Sequence, residues 1–358
     1  MRDAWFLIFA GVLVCTPLSL QAAPSLETDA GQKDIWISHA ELMALPTRGP
    51  AWDALVDQAQ RPVAPNLSDQ DDPSNVTVLA KALVAARTGS AQARDEVLRA
   101  LARVPGTEEE ARSLSVAREL MAYVVAAELV GLEGERREAF ESWLRVLREK
   151  DFRGRTLRST HEDRPNNWGT HAGASRLAVA IFLNDQDEIA RAAWVFRGYT
   201  GETRGWHDFK FGQRWWQPTN GSGDYGINPV WAQREGHPIG GVLPDDQRRS
   251  GPFRWPPPRE NYVYEGLQGA VAQAVMLNRL GLPAWEWGDR ALLRAFQWLH
   301  EQADYPAEGD DTWMPHVINR VYGTDFPAPV PARPGKAMGF TDWTHALPVP
   351  ESNARTMR

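Results

Sequence analysis

Apolar residues recur at every third or fourth position through most of the chain, whereas stretches alternating with period two are scarce. The first spacing lines one face of a helix and the second one face of a strand, so the pattern predicts an all-α fold. The clearest helical segments are 76–87, 113–130, 136–149, 171–184, 262–280 and 289–300. Their lengths suit antiparallel helix pairs stacked side by side. Gly89, Gly131 and Gly281 stand where helices end, and Ser113 and Asp289 stand where starting caps belong.

The stretch 198–258 breaks this rhythm. It is rich in Gly, Pro, Trp and Asn and has no sustained apolar period, so it reads as long functional loops over a cavity, with a separate small domain as the alternative. The proline-rich segment 328–334 and the tail after Trp343 are expected to wrap the surface or fray. At the other end, Arg2 precedes the apolar run from Trp5 to Val14, and Gln21-Ala22-Ala23 offers a cleavage site. Residues 1–23 therefore read as an export signal, and 24–358 as one mature domain in the periplasm or outside the cell. The apolar run is shorter than the ~20 residues a membrane span needs, and no later run is longer. The single cysteine, Cys15, lies inside that signal. No disulfide or cysteine-metal site is expected in the mature chain.

At 358 residues with 43% hydrophobic content, the chain can bury a sizeable core. A net charge of -7 argues against nucleic acid as the partner. An anionic sugar polymer stays compatible with that charge, because binding one needs only a local cluster of Arg and Lys in a cleft. Twelve of the sixteen tryptophans lie from Trp168 onward. Most are expected in the core, where large aromatics dominate, and the remainder are candidates for stacking on sugar rings.

Three stretches, in order, resemble the alginate lyase family. The first comprises Ser38-His39-Ala40-Glu41-Leu42, Asn66-Leu67-Ser68-Asp69-Gln70, and Ala117-Arg118-Glu119-Leu120 leading into Tyr123-Val124-Val125-Ala126-Ala127. The second, and most specific, is Pro165-Asn166-Asn167-Trp168-Gly169-Thr170-His171, continuing through Arg176 to Asn184-Asp185. The third runs from Gly241-Val242-Leu243-Pro244 through Arg248-Arg249 to Tyr262 and the helix ending at Gly281. The resemblance implies an incomplete (α/α) toroid of antiparallel helix pairs with long loops over a central cleft. It also implies cleavage of a uronate polymer, alginate or a relative such as glucuronan, by β-elimination. Two positions depart from the family. Trp168 stands where the family has a His, leaving His171 nearest, and Pro256, Pro257 and Pro258 lengthen the interval between Arg249 and Tyr262.

Elimination requires removal of the proton on C5, which is weakly acidic until the adjacent carboxylate is neutralised. A lyase must therefore bring donors to that carboxylate, a base to the proton and an acid to O4. Asn167 offers an amide, Arg249 a bidentate guanidinium, and His171 falls one helical turn beyond Asn167 on the same face. By resemblance Tyr262 is the proton carrier, with Tyr264 as the alternative at nearly the same place. A phenol with pKa near 10 is a poor base at neutral pH unless a close cation, Arg249 or His171, favours its ionised form.

Each of these residues also has a structural reading. Asn166 and Asn167 suit a helix cap, His171 packing, and Arg248 and Arg249 ion pairs with Asp245 and Asp246. Asn166, Trp168, Trp206, His207, Arg214, Trp215, Trp216, Tyr225 and Arg248 are candidates for substrate contacts, set against a loop packed down by its own aromatics. His207, His237, His316 and His345 are scattered, and no HExxH or other metal-ligand spacing occurs. The elimination needs no metal or other cofactor. Two other functions remain open at this point. One is a glycoside hydrolase using a carboxylate pair drawn from Asp224, Glu235, Asp245, Asp246 and Glu265. The other is a noncatalytic polyuronate-binding or polymer-export protein. The sequence leaves oligomeric state undetermined.

Overall fold

In the computed structural model, which describes residues 34–346, the chain runs through α1 (His39–Ala44), α2 (Pro50–Ala59), α3 (Ser74–Thr88), α4 (Ala91–Leu101), α5 (Ser113–Leu129), α6 (Gly134–Glu149) and α7 (Leu157–Asp163). It continues through α8 (Asn167–Phe182), α9 (Gln186–Tyr199), α10 (Pro244–Gln247), α11 (Asn261–Arg279), α12 (Trp287–Glu301), α13 (Met314–Tyr322) and α14 (Thr341–Thr344). All six expected helices form, with ends within a few residues of their sequence limits. Gly89, Gly131 and Gly281 each take positive φ where a helix stops. Ser113 is the first helical residue of α5 rather than its cap, and Asp289 lies inside α12 at φ 55°. The export signal and Cys15 fall outside the described residues.

Composition sorts the helices into two layers. α5 is apolar almost all round, and every residue from Ser113 to Ala127 is buried. α8 is buried throughout except at Trp168, and α11 from Val263 to Leu277. Helices without a polar face belong inside, and α3, α5, α8 and α11 pack successively against one another. The outer helices are amphipathic. α6 buries only Phe140, Leu144 and Leu147, one stripe at helical spacing. Helices α2 and α4 back α3, α7 and α9 flank α8, and α12 and α13 lie beside α11. This is the α/α toroid arrangement. Among the described residues, no helix is long and apolar enough to cross a membrane.

Helices α8 and α11 approach each other closely. At Gly269 a Cβ would run into the backbone of Thr170 and His171, and Gln273 on the next turn donates to the Thr170 carbonyl at 2.9 Å. Glycine at 269 thus lets α11 lie against the first turns of α8. The stretch 198–258 is mostly irregular and contains a two-residue antiparallel ladder, β1 (Gln233–Arg234) with β2 (His237–Pro238), besides α10. The segment 328–334 departs from expectation. It does cross the surface in part, but Ala332 is buried with its N–H on Asp342 Oδ2 at 3.0 Å, and the chain then turns inward.

Candidate active site

Asn166 caps α8. Its side-chain oxygen accepts the N–H of Trp168 at 3.1 Å, and its amide donates to Asp245 Oδ2 at 2.7 Å. The next N–H, that of Asn167, donates to Asp246 Oδ1 at 3.0 Å. Two adjacent aspartates on α10 thereby hold the start of α8. Asp245 also receives Arg248 Nε at 2.8 Å, whereas burial pushes the Asp246 carboxyl well above the usual range despite its bond from Asn167.

That scaffold turns Trp168 toward a cavity of about 370 Å³ lined by Gln70, Asp71, Leu114, Arg118, Trp168, Arg249, Asn261, Tyr262, Glu265 and Lys336. Leu114, Trp168, Asn261 and Tyr262 all lie in the first turns of α5, α8 and α11. Three inner helices thus present their N-termini to one space, and their dipoles favour an anion there. The guanidinium of Arg249 lies 4.4 Å from the centroid of the Tyr262 ring, and Tyr262 is 37% exposed. No carboxylate lies within ion-pair distance of Arg249 among the described residues.

Deeper in, Arg118 and Glu265 form a buried pair, Nη2 to Oε2 at 2.5 Å. Lys336 Nζ lies 3.1 Å from Asp71 and 3.6 Å from Asp310. Burial alone would raise the Glu265 pKa, but His171 and Arg118 outweigh it and hold the carboxyl below its usual range. His171 borders this pair, with its Nε2 3.8 Å from Glu265 Oε2, beyond hydrogen-bond reach. The imidazole is completely buried, and desolvation lowers its pKa.

The expected residues therefore divide. Trp168, Arg249 and Tyr262 meet in the cavity. Asn167 and His171 stand behind its wall, so their expected direct grip on a substrate carboxylate is not what the geometry provides. Tyr264 is fully buried, donates to the Tyr305 carbonyl at 2.6 Å, and has its pKa raised by burial. It belongs to the core. Trp216 is buried with its indole N–H on the Gly251 carbonyl, and half-buried Trp215 packs against the core. Trp206 donates to the Glu162 carbonyl under the Arg191 guanidinium. His207 Nε2 lies 2.9 Å from the Thr203 carbonyl. Arg214 pairs with Asp224 at 2.8 Å, and Tyr225 meets Trp231 edge-on. Arg248 is held by Asp245 and Gln213. None of these lines the cavity: the loop is packed by its own aromatics and ion pairs. Asp245 and Asp246 are likewise structural. Among the described residues, no group of three His, Cys, Asp or Glu side chains is placed to hold a metal ion.

Sequence reasoning did not single out Gln70, Asp71, Arg118 or Lys336 as site residues. Arg118 did leave a signal, since Arg118-Glu119 is a charged pair inside a largely apolar helix. Lys336 left none.

Comparison with known proteins agrees with the fold. No curated protein matches the sequence significantly. An alginate lyase from Bacteroides ovatus shares the fold with a TM-score of 0.51 and 13% identity, over 80% of this chain and 90% of that one. A variant of alginate lyase A1-III, solved with a tetrasaccharide, gives a TM-score of 0.52 and 10% identity over 87% and 90%. A second A1-III variant with a tetrasaccharide gives 0.52 and 11% over 87% and 91%. Residues 108–204, which run from before α5 past the end of α9, match the alginate lyase family in sequence.

Proposed function

We propose that the protein is an exported polysaccharide lyase that cleaves a polyuronate, alginate or a relative such as glucuronan, by β-elimination. The observation that carries this is the Arg249–Tyr262 pair at a cavity whose lining also includes Arg118, Lys336 and Trp168. Arg249, which has no carboxylate partner among the described residues, and three helix N-termini at one cavity suit a uronate carboxylate better than a neutral sugar.

In this reading Trp168 offers a ring face to a sugar, and Arg249 meets the carboxylate of the residue to be deprotonated. The Tyr262 oxygen takes the C5 proton. The electron pair forms the C4–C5 double bond, the C4–O4 bond breaks, and the same phenol returns a proton to O4. Enolate-like charge at the carboxylate is stabilised by groups already in place. Asn167 and His171 act at one remove, Asn167 by fixing Asp246 and His171 by bordering Glu265.

The test is incubation of the mature protein with alginate blocks and glucuronan while ultraviolet absorbance follows the unsaturated product. A rising chromophore supports elimination. New reducing ends without chromophore would mean hydrolysis, and binding with neither would mean a noncatalytic polyuronate-binding role.

A further inference from the structure

We propose that Lys336 and Arg118 form a second carboxylate-binding subsite for the polymer, and that Asp71 fills it in the free protein. The proposal rests on the polyuronate reading. One oxygen carries the argument: Asp71 Oδ1 lies 3.1 Å from Lys336 Nζ and 3.9 Å from Arg118 Nη1. A single exposed carboxylate thus sits between two cations inside the cavity, where the carboxylate of a bound uronate would also be placed.

Buried partners hold the backbone of Lys336 and the side chain of Arg118, whereas the Asp71 side chain is exposed. Lys336 donates its backbone N–H to Gln268 Oε1 at 2.8 Å, and its carbonyl accepts Asn75 Nδ2 at 2.6 Å. Gln268 and Asn75 are both almost wholly buried and lie far from Lys336 in sequence. At Gly335 a Cβ would collide with the Trp313 and Gln268 side chains. Arg118 is fixed from the other side by Glu265 and keeps its Nε hydrogen buried and unpartnered. Asp71, by contrast, sits between α2 and α3 with its side chain 58% exposed, so its ion pair is of the kind that water and salt weaken most.

Arg118 also faces Glu265, and Lys336 also faces Asp310. Rotation of Asp71 into solvent frees the position between the two cations for one uronate carboxylate. The subsite is therefore specific for acidic over neutral sugars, and Asp71 competes with the substrate.

Titration calorimetry with trimannuronate, triglucuronate and neutral cellotriose tests this on the mature chain, beside turnover measurements. Lys336→Met should weaken binding of the preferred acidic trisaccharide at least tenfold, chiefly in KM rather than kcat. Lys336→Arg should restore most of it, and Asp71→Asn should tighten it severalfold at low salt. Unchanged affinity in a folded Lys336→Met protein, weaker binding in Asp71→Asn, or failure of the wild type to prefer an acidic trisaccharide would each overturn the subsite. Binding with the expected ranking but without unsaturated product would instead remove the lyase reading and leave the subsite standing.

Discussion

Arg249 stacks its guanidinium over the Tyr262 ring at 4.4 Å although thirteen positions and a proline-rich segment separate the two residues in sequence. Tyr262 lies in the first turn of α11, and Arg249 is the middle residue of the short turn, Arg248–Ser250, that follows α10. Their meeting depends on Asp245 and Asp246 docking α10 against α8, because that contact fixes where the chain re-enters the cavity.

Tyr262→Phe keeps the ring beneath Arg249 and removes only the hydroxyl. Turnover should fall by about 10²–10⁴-fold, the range for a positioned acid or base, with trisaccharide binding largely retained. Tyr264→Phe should leave turnover nearly intact and lower stability by about 1 kcal/mol, the usual loss for one hydrogen bond. Steady-state kinetics beside thermal unfolding check both. The reverse ranking would transfer the proton step to Tyr264.

Arg249→Lys retains the charge but loses the planar face and paired donors. A drop in kcat/KM of about 10–100-fold is expected, corresponding to one charge-assisted contact. Arg249→Ala should cost more. Equal activity in all three proteins would show that Arg249 touches neither substrate nor Tyr262 productively.

Asn166→Ala removes a helix cap and leaves Asp245 without its amide donor, so stability should fall by about 1–3 kcal/mol. Asn166→Asp restores the capping oxygen but sets a carboxylate against Asp245. It should be no more stable than Asn166→Ala, and a wild-type melting temperature in Asn166→Asp would show that the Asp245 contact contributes little.

Asp311 has its pKa pushed up to about 8, first by burial and then by Asp310 and Glu265, against a bond from Gln268. Its folded-state value exceeds the unfolded one, so its contribution is fully present below pH ~4 and is lost as pH rises towards 8. Asp311→Asn keeps the oxygen that accepts from Gln268 Nε2. Its melting temperature relative to wild type should therefore improve progressively between pH 5 and 8. A constant difference across that window would contradict the assignment.

The fold was legible because inner helices announce themselves by composition. The segment from Ser113 through Ala127 has almost no polar residue to place outward, and glycines 89, 131 and 281 mark where helices stop. The Asn166 cap was legible for the same local reason. The cavity was less so, because its members converge through tertiary contacts. Lys336 reaches Asp71 across 265 positions, and nothing near Lys336 in sequence reports that Gln268 and Asn75 will hold it. His171 misled for a related reason. Helical spacing placed it one turn beyond Asn167, but its ring is completely buried and meets the cavity only through Glu265.

The central claim concerns the bond broken, and oxygen labelling reads it directly. In ¹⁸O-labelled water, elimination transfers O4 to the leaving chain and forms a double bond on the other, so neither new end takes up solvent oxygen during cleavage. Mass spectra of fresh oligouronate products should accordingly show unsaturated ends and no label beyond the slow exchange seen in pre-formed oligomers. Saturated products carrying one ¹⁸O per cleavage would identify a hydrolase and contradict the assignment of Tyr262 and Arg249 to elimination.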